Sequence, residues 1–288
     1  MLVTMKEILD RAHKENYAVA APNVFFELET RAVLELAEEL RSPIILDVFP
    51  TFGPSIVDLA TRSNVPVAIN LDHGRGYEDI VKTMVKRATS VMVDRSMLPY
   101  EENVKEVSEI VKIAHAIGIS VEAELGHVGS GAQYDIDGKT SLTIPEEAVR
   151  YVEETNVDAL AVAIGTAHGP YNGVPEIRFD LLKEIAEKVN IPLVLHGGSG
   201  SGFDNIKKAC SMGINKVNIN TDLQKGAFDE LRETIETNRK SFYFVDISNG
   251  YKKVLRKYME ACNCIGKTWD VSIEGVSKES FIMNKKRN

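Results

Sequence analysis

The chain has 288 residues, 44% hydrophobic and 26% charged, with a formal net charge of −8. That balance is ordinary for a soluble globular protein and argues against nucleic acid as the main partner. No apolar run approaches the ~20 residues of a membrane span, and Met1 to Asn16 lacks a basic stretch followed by an apolar core, so neither a membrane partner nor a signal peptide is expected.

Cys210, Cys262 and Cys264 form no disulfide framework, which makes a cytoplasmic protein with buried thiols the expectation. Cys262-Asn263-Cys264 alone is a weak metal signal.

Apolar, β-rich runs alternate with helical periodicity along the chain. Strands are predicted at Tyr17–Val24, Pro43–Val48, Val67–Leu71, Ser90–Asp94, Ser120–Leu125, Ala159–Ile164, Leu193–His196 and Lys216–Asn220. Helical segments between them include Glu27–Leu40, Glu101–Ile117, Pro145–Glu154, Phe179–Val189 and Asp204–Met212. Gly118, Asn190 and Gly213 are expected to stop helices in the left-handed conformation. Such a succession in ~250 residues predicts a (β/α)8 TIM barrel. A doubly wound sheet is the rival, but the first strand–helix turn, Ala21 to Phe25, has no glycine-rich dinucleotide loop. The stretch 51–66 is short for a helix with its loops, so the second unit is the weakest part of the pattern. The expected organisation is one barrel domain over 1–288, with a helical extension and a solvated tail from about Thr268 to Lys285-Lys286-Arg287-Asn288.

In such a barrel, working residues stand at the C-terminal strand ends. Asp72-His73-Gly74 is an odd way to leave a buried strand. Neighbouring side chains alternate faces until the strand breaks; there, both can turn into one cavity. Asp94-Arg95 ends the fourth strand, and Glu122 and Glu124 share a face of the fifth. The sixth leads to Gly165-Thr166-Ala167-His168-Gly169, the seventh to His196–Gly200, and the eighth carries Asn218, Ile219, Asn220 and Thr221.

Of the six histidines, His73, His168 and His196 lie at these ends, a set suited to catalytic zinc with an open position. His13 and His115 fall in helical segments and read as structural; His127 follows the fifth strand, nearer the site. Gly197 to Gly202 and the end of the eighth strand occupy the usual phosphate site of this fold.

Asn70–Gly74, Val121–Gly126, Ala163–Gly169, Leu195–Ser199 and Lys216–Thr221 together resemble the class II ketose-bisphosphate aldolases, over about Met5 to Ile265. The resemblance implies Zn2+ on His73, His168 and His196, with Asp72 as acid/base. It also implies that Asp94 and Glu124 hold a second divalent metal or line the site. Gly169, Gly197, Gly198, Ser199 and Asn218 to Thr221 would bind dihydroxyacetone phosphate, assisted by Na+ or K+.

The expected substrate is a phosphorylated sugar and the expected assembly a homodimer or homotetramer. Asn23 is a further candidate at the first strand end. The loop acid that protonates the enediolate would be Asp135 or Asp137, or is missing. The Asp-Pro-Arg that helps bind a distal phosphate is not recognisable between Ser241 and Tyr251, and Arg75 or Arg95 is expected to bind an acidic end of the aldehyde half. The rivals are a non-catalytic sugar-phosphate-binding protein on this scaffold and a zinc hydrolase, which the phosphate loop disfavours.

Overall fold

The computed structural model describes residues 1–130, 142–169, 171 and 175–269. The strands are β1 (Val19–Pro22), β2 (Ile44–Val48), β3 (Val67–Gly74), β4 (Ser90–Val93), β5 (Ser120–Leu125), β6 (Ala159–Val162), β7 (Leu193–Leu195) and β8 (Ile214–Ile219). All pair in parallel, in the order β1-β8-β7-β6-β5-β4-β3-β2. The ends of the sheet meet where Val24 N donates to Asp47 O at 2.9 Å. The fold is a (β/α)8 TIM barrel.

Helices α2 (Glu27–Glu39), α3 (Pro54–Arg62), α4 (Tyr77–Val85), α5 (Tyr100–Ala116), α6 (Pro145–Thr155), α7 (Phe179–Lys188), α8 (Phe203–Ser211) and α9 (Thr221–Glu236) each follow a strand. The doubtful stretch after β2 holds α3, nine residues opened by Pro54 where the missing N–H is harmless. Two helices frame the barrel. The first, α1 (Met5–Lys14), is capped by Thr4 and buries Met5, Ile8, Leu9 and Ala12, one helical face. The last, α10 (Tyr243–Cys262), packs on α9, α2 and α8, and carries buried Tyr251 and Tyr258.

Gly118 and Gly213 are left-handed, at φ +75° and +116°. Asn190 is not; α7 runs out through extended Val189, and the left-handed asparagine is Asn156, after α6. The predicted first strand was too long at both ends, whereas β3 continues three residues past Leu71, through Asp72 and His73 to Gly74. Every strand residue is buried except His73, which is half-buried. With helices covering the outside, polar side chains on the strands meet in the barrel's interior.

Candidate active site

β3 ends irregularly. Its pairing with β4 slips between Leu71 and Gly74, and His73 takes φ +51°, left-handed and costly for a residue with a Cβ. This break turns Asp72 and His73 into the same cavity. Gly74 permits it: a Cβ there would lie 2.5 Å from Met92 O.

Three ring nitrogens converge beside Asp72. His73 Nδ1 donates to Asp94 Oδ2 (2.9 Å) and His168 Nδ1 donates to Val128 O (3.1 Å), which turns both Nε2 atoms inward, 3.1 Å apart, with His168 Nε2 the acceptor. His196 is turned the other way. Its Nε2 donates to Glu122 Oε1 (2.9 Å), and its buried Nδ1 has no hydrogen-bond partner. Each imidazole is thus fixed by an outer acceptor and turns its other nitrogen inward, the arrangement that metal-binding histidines adopt once a cation has replaced the inward proton of His73. The ring nitrogens of this trio lie within 4.8 Å of one another, as do ligand atoms of His73, Asp94 and Glu124. Burial and the neighbouring His73 charge lower the pKa of His168 and lower that of His196 well below its usual value, so both rings are neutral. Burial also disfavours charge on His73, but Asp94, Asp72 and Glu124 outweigh it and raise its pKa to about 9.

Asp72 is held at both oxygens: Asn23 Nδ2 donates to Oδ2 at 2.8 Å and Asn218 Nδ2 to Oδ1 at 3.1 Å. Burial opposes its charge, yet the charges of His73 and Lys216 with the Asn23 bond bring its pKa below the ordinary aspartate value. Lys216 sits in the middle of β8. Its ammonium donates to Glu122 Oε2 (2.9 Å) and Asn218 Oδ1 (2.8 Å), with Asp47 Oδ2 at 3.4 Å. β2, β5 and β8 are not neighbours in the sheet, so these contacts cross the barrel's centre. Asn70 Nδ2 closes the set by donating to Asp47 Oδ1 at 2.9 Å.

Opposite the histidines, Gly169, Gly197, Gly198, Ser199 and the chain from Asn218 to Thr221 border a cavity of about 180 Å3, which Asn23 and Phe49 complete. Gly197 is left-handed at φ +67°, and a Cβ there would meet Ala167 O at 2.4 Å, so the turns after β6 and β7 touch through backbone. Ser199 Oγ accepts from Asn220 N and Asp222 N, both at 3.2 Å, and ties the β7 turn to the start of α9. The helix N-terminus and glycine turn form an anion-facing wall.

Residues 3–267 match the family model described as fructose-bisphosphate aldolase class-II. The chain belongs to the class II fructose-bisphosphate aldolase family. It is 40% identical to a fructose-bisphosphate aldolase of Thermus caldophilus, covering 93% of this chain and all of that one. Among solved structures it resembles the YdjI aldolase of Escherichia coli K12, with a TM-score of 0.83 and 32% identity over 93% of this chain and all of the other. It is also similar to a putative fructose-1,6-biphosphate aldolase from Coccidioides immitis, at 0.78 and 27%, covering 91% and 97%.

Within this aldolase, Asp94 accepts from Ser96, and His127 Nδ1 lies 2.9 Å from Ser96 Oγ and 3.5 Å from Glu124 Oε1. His127 thus joins the edge of the His73–Asp94–Glu124 group. His13 and His115 are bound elsewhere, to Asn215 and Asp158.

The two arginines part company. Arg95 does not border the cavity: buried, it donates Nη1 to Gly74 O (3.1 Å) and Asp94 O (2.9 Å) and Nε to Glu106, contacts that hold the guanidinium against the β3 and β4 ends and Glu106 of α5. Arg75 is exposed, its Nε 3.5 Å from Asp94 Oδ2. Asp135 and Asp137 lie outside the described residues, as does the tail beyond Trp269.

Asp47, Lys216 and Phe49 were not found from sequence. A lysine at an alternate position of the Lys216-Val-Asn-Ile-Asn run was the available signal for an interior charge.

Proposed function

We propose that this aldolase reversibly cleaves a ketose 1-phosphate or 1,6-bisphosphate between C3 and C4, giving dihydroxyacetone phosphate and an aldehyde, with zinc held by His73, His168 and His196. The convergence of three imidazole nitrogens beside Asp72 carries this reading. The donor set fits the ion: the buried, unpartnered Nδ1 of His196 and the facing Nε2 atoms of His73 and His168 want a cation between them, and an all-nitrogen trio with an open side suits zinc. When bound, the cation supplies Lewis-acid stabilisation of the negative charge left on the ketone half.

The chain's own groups do the rest. Asp72 takes the C4 hydroxyl proton as the C3–C4 bond breaks; C4 becomes the aldehyde carbonyl, and the bond's electron pair stays with C3, which then accepts a proton. Asn23 and Asn218 keep Asp72 aimed and anionic. Gly169, Gly197 to Ser199 and the start of α9 hold the phosphate by backbone N–H groups. Asp94 and Glu124 with His73 form the place for a second divalent ion. A cytoplasmic homodimer or homotetramer completes the proposal; among the described residues no helix is long and apolar enough to cross a membrane.

The test is deuterium exchange at C3 of dihydroxyacetone phosphate, followed by NMR with the zinc-loaded chain. Exchange that a chelator or His168→Ala abolishes is the expected result. Absence of exchange with zinc and ligand both bound would replace the lyase by a sugar-phosphate-binding protein. In cleavage, Asp72→Asn lowers kcat by about 10²–10⁴-fold, the usual worth of a positioned acid/base, with KM changed far less.

A further inference from the structure

The cavity has two unlike ends. The end at β7 and β8 is glycine backbone and a helix N-terminus. The other, beyond Asn23 at the tops of β1 and β2, is aromatic. Phe49 borders the cavity and also an adjoining groove of about 400 Å3, which Val24, Phe25, Phe26, Phe52 and Ile56 line. The Phe49 and Phe25 rings stack with centroids 5.2 Å apart and planes 18° from parallel, and each remains 36% exposed, so ring surface is open to a ligand. A ketose phosphate anchored at β7 and β8, with its C4 hydroxyl at Asp72, directs its remaining carbons past Asn23 toward this pair.

That end is poor in anion partners. The amides just before α2 are taken, Phe25 N and Phe26 N donating to Glu29 Oε2 at 3.1 and 2.7 Å, and Glu27 and Glu29 put two carboxylates on the helix's first turn. Pro54 at the start of α3 removes another donor, and Glu27 adds negative charge to the groove. Among the described residues, no lysine or arginine borders either the cavity or the groove. The ammonium of Lys86, beside Phe52, is spent on Pro50 O and Phe52 O, so a phosphate dianion moved here would shed water without gaining an unengaged cation, whereas the C–H face of an uncharged hydroxyaldehyde buries apolar area against the rings.

We infer that Phe49, seated on Phe25, determines specificity for the aldehyde half and selects an unphosphorylated aldehyde, so that the substrate is a ketose 1-phosphate and not a 1,6-bisphosphate. This rests on the aldolase reading of the same cavity. Discrimination arises by rejection of the second phosphate as much as by attraction of the carbon chain.

The experiment is condensation of dihydroxyacetone phosphate by the zinc-loaded full chain with glyceraldehyde 3-phosphate, or with unphosphorylated aldehydes of two to four carbons, glyceraldehyde included. The expected kcat/KM favours the best unphosphorylated acceptor at least tenfold, mainly through KM. Phe49→Ser shrinks that preference at least tenfold, with Phe25→Ser as the second variant should the first not fold. The ratio of two acceptors on one preparation is insensitive to partial loss of folded protein. Preference for glyceraldehyde 3-phosphate, or a ratio that neither variant moves, would overturn the inference. So would failure of every unphosphorylated acceptor while the wild-type chain still exchanges deuterium into dihydroxyacetone phosphate. Loss of that exchange in the wild type would remove the aldolase reading, and the inference with it.

Discussion

Lys216 has no exposed surface, and its ammonium is shared by Glu122, Asn218 and Asp47. Burial works against its charge, but Asp47, Glu122 and Asp72 more than compensate and raise its pKa. Lys216→Met would strand carboxylates in the barrel's centre. The expected cost is about 3–5 kcal/mol, the range for breaking a buried ion pair from one side, read as a lower urea midpoint. Asp72 and His73 stood out only because polar groups recur at the same end of six strands; alone, an Asp-His pair suits a polar strand end as well. Lys216 was not, since it read as the start of a strand and only barrel closure brings β2, β5 and β8 face to face. Phe49 escaped for the opposite reason: a phenylalanine after Ile44–Val48 looks like core, and nothing local says that its ring opens on a cavity.

At the level of elements, the strand ends do the positioning. The turns after β6 and β7 are in backbone contact at Ala167 and Gly197, which places His168 and His196 on one coupled unit. Gly197→Ala adds a Cβ where the backbone is left-handed and Ala167 O stands 2.4 Å away. Both imidazoles should shift, lowering kcat/KM by about 10²-fold, as sub-ångström to 1 Å misplacements do, while the global unfolding midpoint falls much less. Steady-state kinetics beside a denaturant titration separate the two effects. The eight-unit pattern could be read in sequence because buried parallel strands are continuous apolar runs. Exact ends could not, because they depend on tertiary events such as the slip in β3 and the extended exit from α7.

For the whole molecule, the barrel is a shell of apolar packing around an ionic interior, closed by α1 and by α10 across α2, α8 and α9. A cation that binds only this assembled interior stabilises it by mass action, by about 4 kcal/mol at a thousandfold excess over Kd. A chelator should therefore lower Tm by several degrees, with recovery on adding zinc; a Tm indifferent to both would deny the histidine trio any metal. The carboxylates of Asp72, Asp94 and Glu124, each held in its charged form by its neighbours, lie beside the histidine trio and present negative charge to anything entering from the loop side. A sugar phosphate approaching that field meets like charge until a divalent ion has partly cancelled it. On the proposed function, that charge would favour one order, the histidine trio loaded before the phosphate ester can settle, and the trio would keep its ion after the sugar has left.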